Sequence, residues 1–165
     1  MPTASLSMPS LVVLVRHAER GNEPADDPGL TPAGARRAQA LAQAFSEGRF
    51  EAIVTTQYRR TRETARPLAK RMEMEAEVVP IGAGGIEAHV ADVVAAVRRH
   101  AGPVLVVGHT NTLPGLVTAL GGPELPPFAD TTFGLALVLA PRPHGASLLQ
   151  LRYGEPDPAP RARHL

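Results

Sequence analysis

The stretch Leu11-Val12-Val13-Leu14-Val15-Arg16-His17-Ala18-Glu19 indicates the fold of the whole chain. Five branched apolar residues in a row, without the alternation of a half-buried strand, predict a strand that is covered on both faces. An arginine and a histidine follow the run directly. The stretch therefore predicts the first strand of a buried sheet, with functional side chains at its carboxyl end.

Further apolar runs alternate with segments of helical periodicity. Branched residues dominate 52–55, 104–107 and 135–139, and 77–79 is a weaker run of the same kind. Thr31 and Pro32 are typical of a helix start, and they predict a helix that extends to about Phe45. Apolar residues at helical spacing recur in 90–97 and 113–120. Strands that alternate with helices predict an α/β fold, a three-layer α/β/α arrangement with a mostly parallel central sheet.

The length of 165 residues fits a single domain. We expect this domain to span 11–153, between a flexible N-terminus at 1–10 and a flexible, proline-containing tail at 154–165. Met8 is an alternative start to Met1, because no pattern of a helix or strand precedes Leu11. No internal repeat is present, and nothing in the sequence predicts the oligomeric state.

Charge and composition exclude several classes of function. Seventeen Lys and Arg residues against sixteen Asp and Glu residues give a net charge of +1, so we expect neither nucleic acid nor an anionic membrane as a partner. The apolar runs are too short for a membrane span or a signal-peptide core, which predicts a cytoplasmic protein. Cysteine is absent, so only His, Asp and Glu remain as metal ligands.

Three of the apolar runs are followed by residues that suit an anion. Arg16 and His17 follow the first run, His109 follows 104–107, and the arginine-rich segment 59–66 follows 52–55. Because the carboxyl ends of parallel strands share one edge, these side chains are expected to meet. Arginine binds phosphate oxygens through a planar fork of donors, and a neutral imidazole is a competent nucleophile near neutral pH. One histidine at a strand end more often has a structural role, but two of them with arginines predict a phosphoryl-transfer site.

These residues resemble the signature of the histidine phosphatase superfamily, which is also called phosphoglycerate mutase-like. Four ordered motifs carry the resemblance: Leu14-Val15-Arg16-His17-Ala18-Glu19, Leu30-Thr31-Pro32-Ala33-Gly34, Thr56-x-x-x-Arg60-x-x-x-Thr64-Ala65 and Gly108-His109-Thr110-Asn111-Thr112. The resemblance extends over roughly 11–153. Thr56 stands where the family usually has serine, and this difference keeps the hydroxyl group.

The resemblance implies a phosphoglycerate mutase-like fold and an enzyme that is phosphorylated on His17. It also implies that Arg16, Arg60 and His109 complete the phosphate pocket, and we expect Thr110 and Asn111 to bind substrate beside them. No cofactor is expected, because the glycine-rich segment 82–85 matches neither dinucleotide nor Walker spacing.

The general acid is less clearly marked. In the family it commonly lies between the middle helix and the second histidine, and Glu87 occupies that stretch. Alternatively, Glu87 only complements the dipole of a helix that begins there. Glu19, His89 and Asp130 are the other candidates, and a substrate with a good leaving group needs no acid.

The favoured function is a phosphatase that acts on a phosphorylated small molecule or on a phosphoprotein, including phosphohistidine. A phosphoglycerate mutase is the alternative, but the chain lacks the long insertions and the Trp-Gly-rich segment of glycolytic mutases. A non-catalytic phosphate-binding module is a second alternative. A metal site of His17, Glu19 and His109 is a third, although the neighbouring arginines would repel a cation.

Overall fold

The structure, a computed structural model, describes residues 8–159, which form a six-stranded sheet with two helices on each face. The strands are β1 (Val12–Arg16), β2 (Ala52–Thr55), β3 (Glu77–Val78), β4 (Val104–Gly108), β5 (Leu135–Pro141) and β6 (Ala146–Arg152). The helices are α1 (Pro32–Ala44), α2 (Arg59–Arg71), α3 (Gly85–Val97) and α4 (Leu113–Ala119). The expectations for 1–7 and 160–165 lie outside the described residues.

The sheet has the strand order β3-β2-β4-β1-β5-β6. The first four strands in this order are parallel, whereas β5 is antiparallel to β1 and β6 is antiparallel to β5. Arg16 is paired with Gly108 at the carboxyl ends of β1 and β4. The residues that follow β1, β2 and β4 therefore lie at one edge, as the sequence predicted.

Helices cover both faces of the sheet because its central strands are apolar on both sides. Val12 and Leu14 pack with α3 and α4, and Val13 and Val15 pack with α1 and α2. Burying a side chain of this size stabilises the fold by about 1.5–3 kcal/mol. The predicted three-layer fold is confirmed.

Short-range signals position the helix starts. The Thr31 hydroxyl accepts a hydrogen bond from the Gly34 amide, which satisfies one of the free amides at the start of α1. Both α2 and α4 begin a few residues after a strand, so their N-terminal turns lie at the carboxyl edge of the sheet. Among residues 8–159, no helix is long and apolar enough to cross a membrane.

The sequence predicted a strand at 135–139, but it predicted neither β6 nor the antiparallel hairpin that β6 forms with β5. Because Leu135 pairs with Arg152, β6 ends at the edge where β1 ends. Residues 153–157 therefore lie near the predicted site, and Glu155 and Asp157 make defined contacts there. The domain limits at 11 and 153 stay a prediction.

Candidate active site

His17 lies directly after β1 and is buried, with 5% of its surface exposed. Its backbone amide donates to the Gly108 carbonyl at 2.9 Å, which joins the ends of β1 and β4. The ring Nδ1 lies 2.7 Å from the Ala18 carbonyl oxygen. Because a carbonyl only accepts, Nδ1 carries the hydrogen and Nε2 has the free lone pair. The backbone thus holds the ring in the tautomer that a nucleophile at Nε2 requires.

Thr64 joins the segment after β1 to α2. Its hydroxyl accepts a hydrogen bond from the Ala18 amide at 2.8 Å and donates to the Arg60 carbonyl at 2.6 Å. The spacing of four residues between Arg60 and Thr64 is one helical turn. This turn fixes the start of α2 beside the segment that carries His17.

His109 follows β4 and is buried beside His17, with ring centroids 5.4 Å apart. The Thr56 hydroxyl lies 3.0 Å from His109 Nε2 and 2.9 Å from the Thr61 hydroxyl. The Tyr58 ring meets His109 edge-on at 5.6 Å. Polar and aromatic contacts from the segment between β2 and α2 therefore orient the second histidine.

Arg16 is held from one side. Its Nη1 donates to the carbonyl oxygens of Asp130 and Thr132 at 2.7 and 3.2 Å, and its guanidinium carbon lies 4.1 Å from the centre of the Phe133 ring. Its Nε is buried without a hydrogen-bond partner among residues 8–159. The guanidinium thus has a fixed position and unused donors.

Arg60 shares these properties. Its guanidinium carbon lies 4.3 Å from the centre of the Tyr58 ring, and its Nε is also buried without a partner in the described part of the chain. Within 8–159, neither Arg16 nor Arg60 forms an ion pair with a carboxylate, whereas the buried Arg37 pairs with Glu19. Burial of positive charge without a counter-ion is unfavourable, so the arrangement suits a bound anion.

Both imidazoles are neutral in this environment. The pKa of His17 is lowered to about 3, chiefly by burial and partly against the hydrogen bond to the Ala18 carbonyl, which raises it. The positive charges of Arg16, Arg60 and Arg20 contribute to the lowering. Burial also lowers the pKa of His109 to about 3, with added effects of His17 and Arg60. The pKa values of Arg16 and Arg60 are lowered by burial as well, but arginine remains charged. The unliganded site therefore combines neutral nitrogen bases with fixed cations.

This electrostatic arrangement predicts that the rings of His17 and His109 stay neutral down to about pH 4 in the unliganded protein. Because both folded-state pKa values lie below the value of about 6.5 in an unfolded chain, the unfolded state binds more protons between about pH 6.5 and 3. The free energy of unfolding is therefore expected to fall as the pH decreases through that range. Nitrogen-15 NMR of the assigned rings, with urea unfolding at several pH values, measures both effects. Titration of both rings near pH 6.5 would contradict the prediction.

The other predicted residues, Thr110, Asn111 and Glu87, differ from the two histidines in that none of them is buried. Thr110 is half-buried and Asn111 is exposed in the loop between β4 and α4, next to His109. Glu87 is exposed in the first turn of α3, where it lines a groove of about 660 Å³ together with Pro114 and Gly115 of α4. Its proposed role as the acid stays a prediction.

The three alternative acids differ in their surroundings. The Glu19 carboxylate accepts hydrogen bonds from Arg37 at 2.8 and 3.0 Å, so this pair occupies it. His89 is buried, with Nδ1 3.2 Å from the Pro80 carbonyl. Asp130 is exposed, and its negative charge acts against the burial that lowers the pKa of Arg16.

The geometry does not favour the alternative metal site. In the described range 8–159, no group of three His, Asp or Glu side chains is arranged to hold a metal ion. Glu19 is the carboxylate that the alternative metal site requires, and its side chain is paired with Arg37 instead.

Sequence reasoning missed three residues around the cluster. Tyr58 and Phe133 stack on the two arginines, and Arg20 contributes positive charge that lowers the pKa of His17. Arg20 has a weak signal, its position three residues after His17. Phe133 has none, because its contact with Arg16 joins distant parts of the chain.

Comparison with known proteins supports the same fold. Residues 12–81 match the family model for the histidine phosphatase superfamily (branch 1). No curated protein matches the sequence. Many solved structures are similar to this one.

One is the protein provisionally named phosphohistidine phosphatase SixA from Agrobacterium tumefaciens, with a TM-score of 0.68 and 23% identity over 90% of this chain and 100% of that one. A protein provisionally given the same name, from Nakamurella multipartitia, has a TM-score of 0.61 and 29% identity over 87% of this chain and 95% of that one. The mycobacterial glucosyl-3-phosphoglycerate phosphatase has a TM-score of 0.66 and 16% identity, covering 88% of this chain and 100% of that one. The predicted phosphoglycerate mutase-like fold is confirmed by these similarities.

Proposed function

Because the chain belongs to the histidine phosphatase superfamily, we propose that it is a phosphatase that forms a covalent phosphohistidine intermediate on His17. One observation carries the proposal: two half-buried arginines, each with a buried Nε that has no hydrogen-bond partner, lie with two histidines at one edge of the sheet. Within residues 8–159 neither arginine is paired with a carboxylate. Arg16 and Arg60 supply charge and donors for phosphate oxygens, and His17 supplies a lone pair for the phosphorus.

In the first proposed step, His17 Nε2 attacks the phosphorus of a bound phosphate ester. The bond between phosphorus and the leaving oxygen breaks, and that oxygen takes a proton from the general acid, for which we propose Glu87. Arg16 and Arg60 stabilise the charge on the remaining phosphoryl oxygens. A bound dianion would also raise the pKa of His109, because it adds negative charge beside a ring that burial now keeps neutral.

In the second step, water attacks the phosphohistidine. The phosphorus–nitrogen bond breaks, inorganic phosphate forms, and the water proton passes to the carboxylate that acted as acid in the first step. His17 Nε2 regains its lone pair, and its Nδ1 keeps the hydrogen bond to the Ala18 carbonyl throughout. The ring therefore does not have to change tautomer between turnovers.

The substrate is proposed as a phosphate monoester or a phosphorylated histidine of a protein. Among the similar structures, one protein is named for glucosyl-3-phosphoglycerate and others for phosphohistidine, which supports both classes. The groove between α3 and α4 starts at the carboxyl edge of the sheet and has room for the alcohol portion of a small ester.

Phosphate release from a panel of phosphorylated metabolites and a phosphohistidine peptide tests this function. We expect at least one compound to be hydrolysed with a kcat/KM far above that of a general aryl phosphate. Transfer of the phosphoryl group to a second sugar acid instead of to water would establish the mutase alternative. Saturable phosphate binding without turnover of any compound would establish a non-catalytic module.

Arg60 provides a test of the phosphate pocket with a matched control on the same helix. Arg60→Ala is expected to lower kcat/KM by about 10-fold to 10²-fold, because a hydrogen bond between charged groups contributes about 1.5–3 kcal/mol. Arg62→Ala removes an exposed arginine two residues later and is expected to change kcat/KM by less than about twofold. Steady-state kinetics on one aryl phosphate measures both. Equal losses in the two variants would indicate a general effect of positive charge instead of a specific contact.

A further inference from the structure

Asp157 lies near the end of the described chain but reaches the edge of the sheet that carries His17. The antiparallel pairing of β5 and β6 reverses the chain twice, so the residues after Arg152 return to the carboxyl ends of the parallel strands. Without this hairpin, a proline-containing segment such as 153–157 would not be expected to pack against the sheet. Its position follows from the hairpin.

The Asp157 carboxylate binds the backbone just before β5. Its Oδ1 accepts hydrogen bonds from the Phe133 and Gly134 amides at 2.9 and 2.7 Å, and its Oδ2 accepts one from Arg152 at 2.6 Å. The side chain is 18% exposed. Burial by itself would raise the pKa of Asp157, but the two backbone hydrogen bonds and the nearby arginines bring it below its usual value. The carboxylate is thus ionised and engaged with defined donors.

The same short segment, residues 130–134, holds Arg16 on its other side. The carbonyl oxygens of Asp130 and Thr132 accept from Arg16 Nη1, and the Phe133 ring lies against the guanidinium. The segment has no regular secondary structure apart from a turn, and one backbone hydrogen bond, from the Tyr153 amide to the Gly134 carbonyl at 2.9 Å, joins its end to the residue after β6. Asp157 adds two further hydrogen bonds, which its carboxylate accepts from the Gly134 amide and from the amide of Phe133, the residue whose ring lies against Arg16.

The surroundings of the segment leave little freedom. A Cβ atom at Gly134 would lie 2.8 Å from Arg37 Nη1 and 2.9 Å from the Tyr153 carbonyl oxygen. The buried Arg37 donates to the Tyr153 and Glu155 carbonyls and pairs with Glu19, two residues after His17. Arg37 therefore links residues 153–155 to the segment that follows His17.

We propose that Asp157 is a positioning residue for the phosphate pocket: it fixes the 130–134 segment, which in turn fixes the guanidinium of Arg16. The proposal rests on the proposed function, because it assumes that Arg16 binds the phosphoryl group. A displacement of about 1 Å in such a group costs up to about 10²-fold in rate. Removal of the carboxylate is therefore expected to lower the affinity for oxyanions, although it removes no atom that touches the substrate.

The test compares three variants by kcat/KM, by the inhibition constant of vanadate and by thermal melting. Asp157→Ala is expected to lower kcat/KM by about 10-fold or more and to raise the vanadate constant by a similar factor, at a temperature where the variant is folded. Asp157→Asn keeps an oxygen that accepts both amide hydrogen bonds and is expected to retain most of the vanadate affinity. Glu155→Ala removes an exposed carboxylate of the same segment and is expected to have wild-type constants.

A folded Asp157→Ala protein with unchanged vanadate affinity would overturn the proposal, and so would an equal loss in Glu155→Ala. If Asp157→Ala does not fold, Phe133→Leu decides the question, since it removes the ring against Arg16 and leaves Asp157 intact. A raised vanadate constant in that variant supports the proposal, and an unchanged one refutes it. If the wild-type protein hydrolyses no substrate, the proposed function fails, but calorimetric vanadate binding still tests the positioning role.

Discussion

His17→Ala is expected to lower phosphate release by at least about 10⁴-fold while the protein remains folded. The substitution removes the Nε2 lone pair that the hydrogen bond of Nδ1 to the Ala18 carbonyl leaves free, and it leaves the charges of Arg16 and Arg60 in place. Substrate should therefore still bind, and the chemical step should fail. The site loses its buried ring, but the apolar contacts of β1 with the helices are unaffected.

The measurement combines turnover with detection of the intermediate. Phosphate release and circular dichroism are recorded for both proteins, and mass spectrometry under alkaline quench locates the phosphoryl group, because phosphohistidine is labile in acid. We expect the wild-type peptide that contains His17 to be phosphorylated during turnover. His144→Ala, which removes an exposed histidine in the β5–β6 turn, serves as the control with full activity. Phosphate release by His17→Ala within about tenfold of the wild type would refute the mechanism.

The sequence predicted the parts of the site that depend on short patterns. Every residue of 12–15 is apolar, which predicts a central strand that is covered on both faces. The parallel pairing of this strand with β4 then places Arg16, His17 and His109 at one edge of the sheet. Arg60 was distinguished from its neighbours by the resemblance, whose motif places the arginine four and five positions before Thr64-Ala65, and helical spacing is only compatible with that choice. The hydrogen bond from the Thr64 hydroxyl to the Arg60 carbonyl is seen only in the structure.

The sequence could not predict contacts between distant parts of the chain. Asp157 and Phe133 are 24 residues apart and meet only because the β5–β6 hairpin folds back. Arg36 and Arg37 are adjacent arginines, yet one is exposed and the other is buried in the ion pair with Glu19. Residue type does not separate them, since the difference lies in which side of α1 faces Glu19 and the Tyr153 carbonyl.

The role of Glu87 can be tested with substrates whose leaving groups differ in their need for a proton. Its carboxylate lines the groove between α3 and α4, and the start of α4 follows the loop that begins with His109. An ester bound by Arg16 and Arg60 would have to place its alcohol portion outside the phosphate pocket, and the proposed location is this groove, which the first turn of α4 lines in part. Glu124 lines the same groove and offers a second carboxylate for comparison.

Glu87→Gln is expected to slow the hydrolysis of alkyl phosphates by about 10²-fold to 10⁴-fold, the usual contribution of a positioned acid. An aryl phosphate whose phenol is acidic needs little protonation and should be affected much less. Glu124→Gln should leave both substrates at wild-type rates, because it alters the charge of the groove without removing the proposed donor. The comparison requires that phosphorylation of His17 limits the rate, so the absence of a burst is established first.

Equal losses of Glu87→Gln on both substrates would indicate disturbed binding. No loss on either would exclude Glu87, and the same comparison would then be made with Asp130→Asn, whose carboxylate acts on Arg16, before His89 and Glu19.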